Sequence, residues 1–342
     1  MGMKMFTPLL LPLVFIYWGI TALRNRFFDC GILKSTQIKY KSIGVGNLSV
    51  GGTGKSVVID YLISFFKDQY NLAVLSRGYK RKTSGVVVAS KETTVEMIGD
   101  EPFQFLKKHN GISLVVAEQR IQGMDAIYQL KNQPDLLLLD DVMQHRYVKT
   151  NILILTTSYQ RPYFSDQLLP LGQLRESKSG VKRAQIILVT KCPHDLTKEQ
   201  KKEILSKIVP SRHQSIFFTK INYAENISNR EKNRTLDSLT SPFLLISGIA
   251  NSDPLISHLE EKKLNFNHLR FSNHHQFSST EIKKIKSKNR NSLILTTEKD
   301  FGRLESYFSS EVLFYLPITM GFFSFAEAQR FQNLFKAPLF QD

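Results

Sequence analysis

Cysteine is scarce: the 342 residues hold only Cys30 and Cys192, with neither pairing nor metal-type spacing. That excludes a disulfide-stapled or cysteine–zinc scaffold and points to free thiols in a reducing compartment. Acidic residues are outnumbered, 30 Asp and Glu against 46 Lys and Arg. Such an excess favours an anionic partner: a nucleic acid, an acidic membrane surface or a phosphorylated substrate. No helicase-like motif set or nucleic-acid module accompanies the charge, so no nucleic-acid partner is expected. Internal repeats and low-complexity tracts are also missing. Apolar content, 42%, is ordinary for a protein that folds in water, and the length suits one large or two ordinary domains.

Charge is missing altogether from Met5 to Leu23, where Leu, Val, Phe, Ile, Tyr and Trp dominate. Arg24 and Arg26 follow at once, with Lys34, Lys39 and Lys41 close behind. As a secretory signal, the segment lacks a basic start beyond Lys4 and a small-residue cleavage site. As a buried core helix it is unusually rich in large apolar side chains. A membrane-seated helix fits best, with Tyr17 and Trp18 near headgroup depth and the arginines on the cytoplasmic side. The stretch is at the lower edge of the roughly 20 residues that span a bilayer, so spanning and interfacial seating both stay open. Pro8 and Pro12 predict that regular helix starts near Pro12.

The remainder alternates short aliphatic runs with helix-length polar segments. Ile43–Gly46, Leu72–Leu75, Val86–Val88, Leu114–Val116, Leu136–Leu139, Ile152–Leu155 and Ile186–Val189 read as strands buried on both faces. Ser56–Phe66 reads as a helix. The pattern is βαβ, which predicts an α/β fold: a mostly parallel sheet with helices on both faces. Asn222–Ser241 is polar and charged and reads as a linker or excursion, after which Phe243–Ile246 and Leu293–Leu295 resume the strand signal. Three parts are therefore expected: an apolar helix over 1–30, a nucleotide-binding core over 31–235 and a smaller α/β unit over 236–342.

Gly51-Gly52-Thr53-Gly54-Lys55-Ser56 sits between the first of these strands and its helix. Glycines let the backbone approach phosphate oxygens closely, and the loop N–H groups with the helix N-terminus form an anion nest. In such a loop Lys55 reaches the β- and γ-phosphates and the Ser56 hydroxyl ligates Mg²⁺. The first glycine of the usual pattern is replaced by Ser49. Asn47, Ser49 and Val50 complete the expected nucleotide-binding stretch. Leu136–Leu139 ends in Asp140-Asp141, a carboxylate pair beside the loop that suits Mg²⁺ or its water. Together these predict a P-loop phosphotransferase that uses ATP and Mg²⁺. Arg77, in a Gly-Tyr loop after a strand, and Arg120 are further candidates for positive charge at the phosphates.

The ordered blocks resemble one family, the tetraacyldisaccharide 4'-kinases of lipid A synthesis. They are Gly46–Ser56 with Ser49 included, Arg77-Gly78-Tyr79, Gly99-Asp100-Glu101-Pro102, and Asp140-Asp141 with Gln144-His145-Arg146. Leu171–Glu176, Val189–Pro193, His274-His275 and Thr297–Asp300 follow in the same order. The resemblance implies transfer of the ATP γ-phosphoryl group to the 4'-hydroxyl of an acylated, anionic disaccharide 1-phosphate. It places that activity at the cytoplasmic face of the bacterial inner membrane; a monomer is expected. It also implies Asp100 as the base, partnered by His274 from the second domain. The residues alone equally allow Asp100 as the cap of a helix starting at Pro102. Glu101 is expected at the metal through water or at the helix terminus, and Arg120, Gln144, His145 and Arg175 towards substrate. The residues alone equally allow Gln144 and His145 at the metal shell or at a helix start, and Arg175 paired with Glu176. Four positions depart from the family: Val142-Met143 stand where Gly-Phe is usual, Asn273 replaces Asp, and Lys80 follows Tyr79 where glycine is common.

A regulatory GTPase or metal-insertion NTPase is the alternative. Thr190-Lys191-Cys192-Pro193 follows a strand where GTPases carry Asn-Lys-x-Asp, but Pro193 stands where the guanine-reading acid would be.

Overall fold

The computed structural model describes residues 7–289 and 292–336. Residues 1–6 of the expected apolar segment and 337–342 of the expected second unit lie outside them. The seven aliphatic runs from Ile43 to Val189 become seven strands of a nine-stranded sheet, completed by Ser215–Tyr223 and Ile318–Phe322, which were not among the strands expected from sequence. In spatial order it is Ile318–Phe322, Ser215–Tyr223, Ile186–Thr190, Ile152–Ser158, Lys41–Gly46, Leu136–Asp140, Leu72–Ser76, Ser113–Val116 and Val87–Val88. The seven inner strands are parallel and the two edge strands antiparallel. Helices cover both faces, which explains why the inner runs are unbrokenly apolar. Leu136 and Leu138 join the core of helix Lys55–Phe66, while Leu137 and Leu139 join that of helix Arg120–Tyr128. Val87–Val88 departs from the expectation of two-sided burial because it is an edge strand, with Val88 47% exposed.

A six-stranded sheet forms the smaller unit: Asn233–Thr235, Asn226–Ser228, Leu313–Leu316, Ile294–Thr297, Phe243–Ser247 and Phe266–Arg270. Its pairings cut across the boundary expected at residue 236. The polar stretch read as a linker holds an antiparallel hairpin of this sheet. Asn229 Oδ1 accepts from the Glu231 and Lys232 N–H groups at its turn, and Ile227 and Leu236 are fully buried beside exposed polar neighbours. Charged residues are the ordinary dress of an edge strand, so composition concealed it. At the other end, Ile318–Phe322 pairs with Ser215–Tyr223, and Phe331 of helix Phe325–Asn333 enters the large sheet's core. The chain thus crosses to the second unit and returns.

The first segment is a continuous 23-residue helix, Thr7–Asp29, that runs through Pro12 rather than starting near it. Proline this close to a helix end removes a single intrahelical bond. No helix among the described residues is long and apolar enough to cross a membrane. Leu13, Phe15, Ile16, Trp18, Ile20 and Leu23 are each at least half exposed, while Tyr17, Arg24 and Asn25 dock on the core.

Candidate active site

The glycine-rich loop emerges from the central strand Lys41–Gly46, at the C-terminal edge of the parallel sheet where α/β folds place ligands. Gly51 and Gly54 take φ of 102° and 85°, a region costly for a side chain. Gly54 caps helix Lys55–Phe66, whose first turn has no acidic residue and no side-chain cap. Its leading N–H groups and the positive end of its dipole are therefore available to an anion. The loop is braced from both sides. Asn47 Nδ2 donates to Thr53 Oγ1 at 2.9 Å, Thr190 Oγ1 donates to the Thr53 carbonyl at 2.7 Å, and Lys191 Nζ donates to the Gly52 carbonyl at 2.6 Å. Ser49 is buried and bridges to Leu174; Val50 donates its N–H to the Gln173 carbonyl.

Lys55 Nζ donates to Asn47 Oδ1 at 3.0 Å and lies 3.4 Å from Asp141. Asp141, at φ 51°, also receives both terminal nitrogens of Arg175, at 3.1 and 3.0 Å. Burial opposes its ionisation, but Lys55 and Arg175 outweigh burial and hold its carboxyl below the usual range. Asp140 is the opposite case. Burial and the neighbouring Asp141 push its carboxyl up to about 6. Its Oδ2 accepts from Ser76 Oγ at 2.9 Å, while its buried Oδ1 has no partner among the described residues. An orphaned anionic oxygen of this kind is what a divalent cation would satisfy.

Arg77 is exposed and makes no hydrogen bond or ion pair among the described residues, which leaves a free cation at the sheet edge. Arg120 is 3% exposed, its two terminal nitrogens donating to the Ala117 and Asp140 carbonyls, both at 2.7 Å. It shapes the Asp140 turn from behind. Burial lowers its pKa to about 10. His145 is lowered to about 4, by burial and then by Arg120, which keeps the imidazole neutral. Gln144 Nε2 donates to the Asn47 carbonyl at 3.0 Å and to Glu176 Oε1 at 2.8 Å. Glu176 also receives Asn25 and Arg183, so a buried carboxylate ties the first helix to the loop strand. Tyr17 and Arg24 of that helix donate to the Arg175 and Gln144 carbonyls.

The second unit reaches the same edge. Asp100 opens helix Asp100–Lys108 behind Gly99 at φ 88°, but its carboxylate makes no cap bond. It meets His274 Nδ1 at 2.8 Å and Arg303 at 2.9 and 3.0 Å. The capping alternative is thereby set aside. Burial works to raise the Asp100 pKa, but His274 and Arg303 prevail and keep it low. Glu101 pairs with Lys299 at 2.9 Å, and Lys299 Nζ also lies 3.0 Å from His274 Nε2. The pKa of Lys191 is lowered by burial, then by Lys299 and Lys55. Lys55, Lys191 and Lys299 thus bring positive charge together beside the loop, which favours phosphates. The family departures are accommodated locally. The left-handed residue is Asp141 rather than Val142, so glycine is not required there, and Gly44 and Gly46 leave room for Val142 and Met143. Lys80 takes φ 60°, left-handed backbone where glycine would be easier.

Lys191, Lys299 and Arg303 were not among the residues expected from sequence. Lys191 stands in Val189–Pro193 and Lys299 in Thr297–Asp300, family blocks from which no site residue was assigned, and Arg303 lies just past the second.

A profile of the family described as tetraacyldisaccharide-1-P 4'-kinase matches residues 6–338. The tetraacyldisaccharide 4'-kinase of Flavobacterium psychrophilum is 43% identical, with 92% of each chain covered. That of Bacteroides thetaiotaomicron is 39% identical over 86% of this chain and 82% of its own. A crystal structure of LpxK from Aquifex aeolicus in complex with ATP superposes with a TM-score of 0.76 at 26% identity, covering 97% of this chain and 98% of that one. The GTPase and metal-insertion alternatives are not favoured. With loop, carboxylate pair and fold all in agreement with relatives matched along nearly their whole length, this chain belongs to the tetraacyldisaccharide-1-P 4'-kinase family.

Proposed function

We propose that this protein transfers the γ-phosphoryl group of ATP to the 4'-hydroxyl of tetraacyldisaccharide 1-phosphate, acting as a monomer at the cytoplasmic face of the bacterial inner membrane. The observation that carries the reading is the meeting, at one sheet edge, of an uncapped phosphate loop with an Asp–His pair supplied by two different sheets. The chemistry is largely positioning and charge neutralisation. The sugar 4'-oxygen forms a bond to the γ-phosphorus, the bond from that phosphorus to the β,γ-bridging oxygen breaks, and ADP leaves. Asp100 takes the hydroxyl proton while His274 supports its carboxylate.

Lys55 would exchange Asn47 and Asp141 for the β- and γ-phosphates, with Arg77 as a second cation. Asn47, Ser49 and Val50 brace the loop, and its N–H groups between Gly51 and Ser56 other than Thr53, which donates to the Gly51 carbonyl, would face the nucleotide. Among the described residues no three His, Cys, Asp or Glu stand together as a metal cage. Mg²⁺ commonly uses one or two carboxylates with phosphate oxygens and water, and the free Asp140 Oδ1 fits that mode. Asp140 and Ser56 would hold the ion, and Glu101 would join by releasing Lys299. Bound there, Mg²⁺ would supply neutralisation of the phosphate oxygens.

Arg175, Gln144 and His145 adjoin the first helix, and we assign them to the entry side for the acylated headgroup. Arg120 acts there only through the Asp140 turn it holds. The exposed apolar face of Thr7–Asp29 suits an interfacial seat, which would bring that side to the lipid surface.

The test is transfer of label from γ-³²P ATP to tetraacyldisaccharide 1-phosphate in detergent with Mg²⁺, beside a Lys55→Ala control. Label should reach the lipid with the wild type alone. ATP binding without lipid labelling, across several detergents, would remove the acceptor assignment and leave only the nucleotide site.

A further inference from the structure

The pairing of Asp100 with His274 leaves unanswered what holds the carboxylate in one orientation and which oxygen it offers to a substrate. An ionised carboxylate has about four lone-pair sites. Arg303 Nε donates to Asp100 Oδ1 at 2.9 Å, and Arg303 Nη2 donates to Oδ2 at 3.0 Å. His274 Nδ1 lies 2.8 Å from Oδ2. Its tautomer follows from its other neighbour. Lys299 Nζ, 3.0 Å from Nε2, can only donate, so Nε2 accepts and Nδ1 carries the proton to Asp100. Three of the four sites are filled by described residues, and the one they leave open is on Oδ1.

Arg303 is itself fixed on every side. It is 7% exposed, its Nη1 donates to the His275 carbonyl at 2.9 Å and lies 3.3 Å from Asp300. Asp300 in turn accepts from Gly248 N and Thr297 Oγ1, both at 2.7 Å. Lys299 and Arg303 are four residues apart on helix Glu298–Leu304 and share a face. That helix also meets helix Asp100–Lys108 through the Glu298–Lys108 pair at 3.0 Å.

We propose that Arg303 is the positioning residue for Asp100: its planar fork presents the free lone pair of Oδ1, and no other, to the acceptor hydroxyl, while Lys299 fixes the tautomer of His274. The inference rests on the reading of Asp100 as the proton acceptor. The proton leaves the sugar 4'-oxygen for Oδ1 as that oxygen bonds to the γ-phosphorus of ATP, and passes to solvent after ADP departs. Arginine is required because two parallel N–H bonds fix both position and angle, whereas the ammonium of lysine is a point charge. Because the fork comes from the second unit, the base is aimed only when the two sheets are docked.

The experiment measures kcat, KM for ATP and lipid, and ATP binding for Arg303→Gln, Arg303→Lys, Asp100→Asn and the double variant Asp100→Asn/Arg303→Gln. Loss of aim in a positioned reaction costs about 10²-fold. Arg303→Gln should lose that much kcat with KM for ATP and ATP binding unchanged, and Arg303→Lys should recover only a small part. The double variant should be no slower than Asp100→Asn, because Arg303 acts through Asp100. Wild-type kcat in Arg303→Gln beside an inactive Asp100→Asn would overturn the clamp and leave the base standing. Full kcat in Asp100→Asn would remove the base and the clamp with it. An additive double variant would also refute the inference. Should Arg303→Gln fail to bind ATP, Arg303→Lys decides: reduced kcat with intact ATP binding supports the fork, and wild-type kcat overturns it.

Discussion

Replacing Asp140 by asparagine should stabilise the ligand-free protein while stopping phosphoryl transfer. The side chains are the same shape, and an asparagine oxygen can still accept from Ser76 Oγ, which donates to Asp140 Oδ2 at 2.9 Å. What changes is the charge. Burial and Asp141 raise the folded-state pKa from the ordinary 3.8 to about 6. Each pKa unit corresponds to roughly 1.36 kcal/mol, so ionised Asp140 costs the fold about 3 kcal/mol above that range. The sign follows from the direction of the shift. A raised carboxyl contributes stability that is complete below its unfolded pKa and is lost as pH rises through the folded one. Asp140→Asn should therefore nearly match the wild type at pH 4 and exceed it at pH 8. Unfolding entropy of about 2.1 cal/mol/K per residue, over 342 residues, converts this to about 4 °C in Tm. Calorimetry at the two pH values without Mg²⁺ is the assay. Equal Tm at pH 8, or a gain of the same size at pH 4, would refute the account of Asp140 as a strained anion awaiting a cation. With Mg²⁺ and ATP the order should reverse, because ligand binding stabilises the wild type selectively.

Trp18 is the single tryptophan and is half exposed on the apolar face of Thr7–Asp29. Its fluorescence should shift to the blue with anionic lipid vesicles, and Phe15→Glu with Ile20→Glu should abolish the shift; no shift in the wild type would remove this face as the membrane seat. At Gly46 an added Cβ would lie 2.6 Å from Met143 Cβ and 2.7 Å from Met143 N. Gly46→Ala should thus cost about 1–3 kcal/mol, read as a fall in denaturant midpoint, and an unchanged midpoint would mean that the turn after Asp141 yields freely.

Much of the large sheet was legible because its signals are local. Six of the seven inner strands carry a contiguous aliphatic run, Ser215–Tyr223 being the exception, and the phosphate loop is six consecutive residues between a strand and a helix. The hairpin at Asn226–Thr235 was not legible, since its edge strand Asn233–Thr235 is polar and exposed and its inner strand Asn226–Ser228 buries only Ile227. Nor was the return of Ile318–Phe322 to the large sheet, because a strand's composition carries no record of its partner.

The sequence by itself determined the α/β class, the phosphate loop, the carboxylate pair behind it and the apolar first helix, all of which are properties of neighbouring residues. Tertiary structure alone decided what each charge answers to. Asp100 and Arg303 are separated by 203 positions and Asp100 and His274 by 174. Lys191 reaches the loop at Gly52 across 139. An ionisable side chain takes its pKa and its partner from whatever burial and charge folding brings within a few ångströms, so Asp140 and Asp141, adjacent in sequence, end with pKa values displaced in opposite directions.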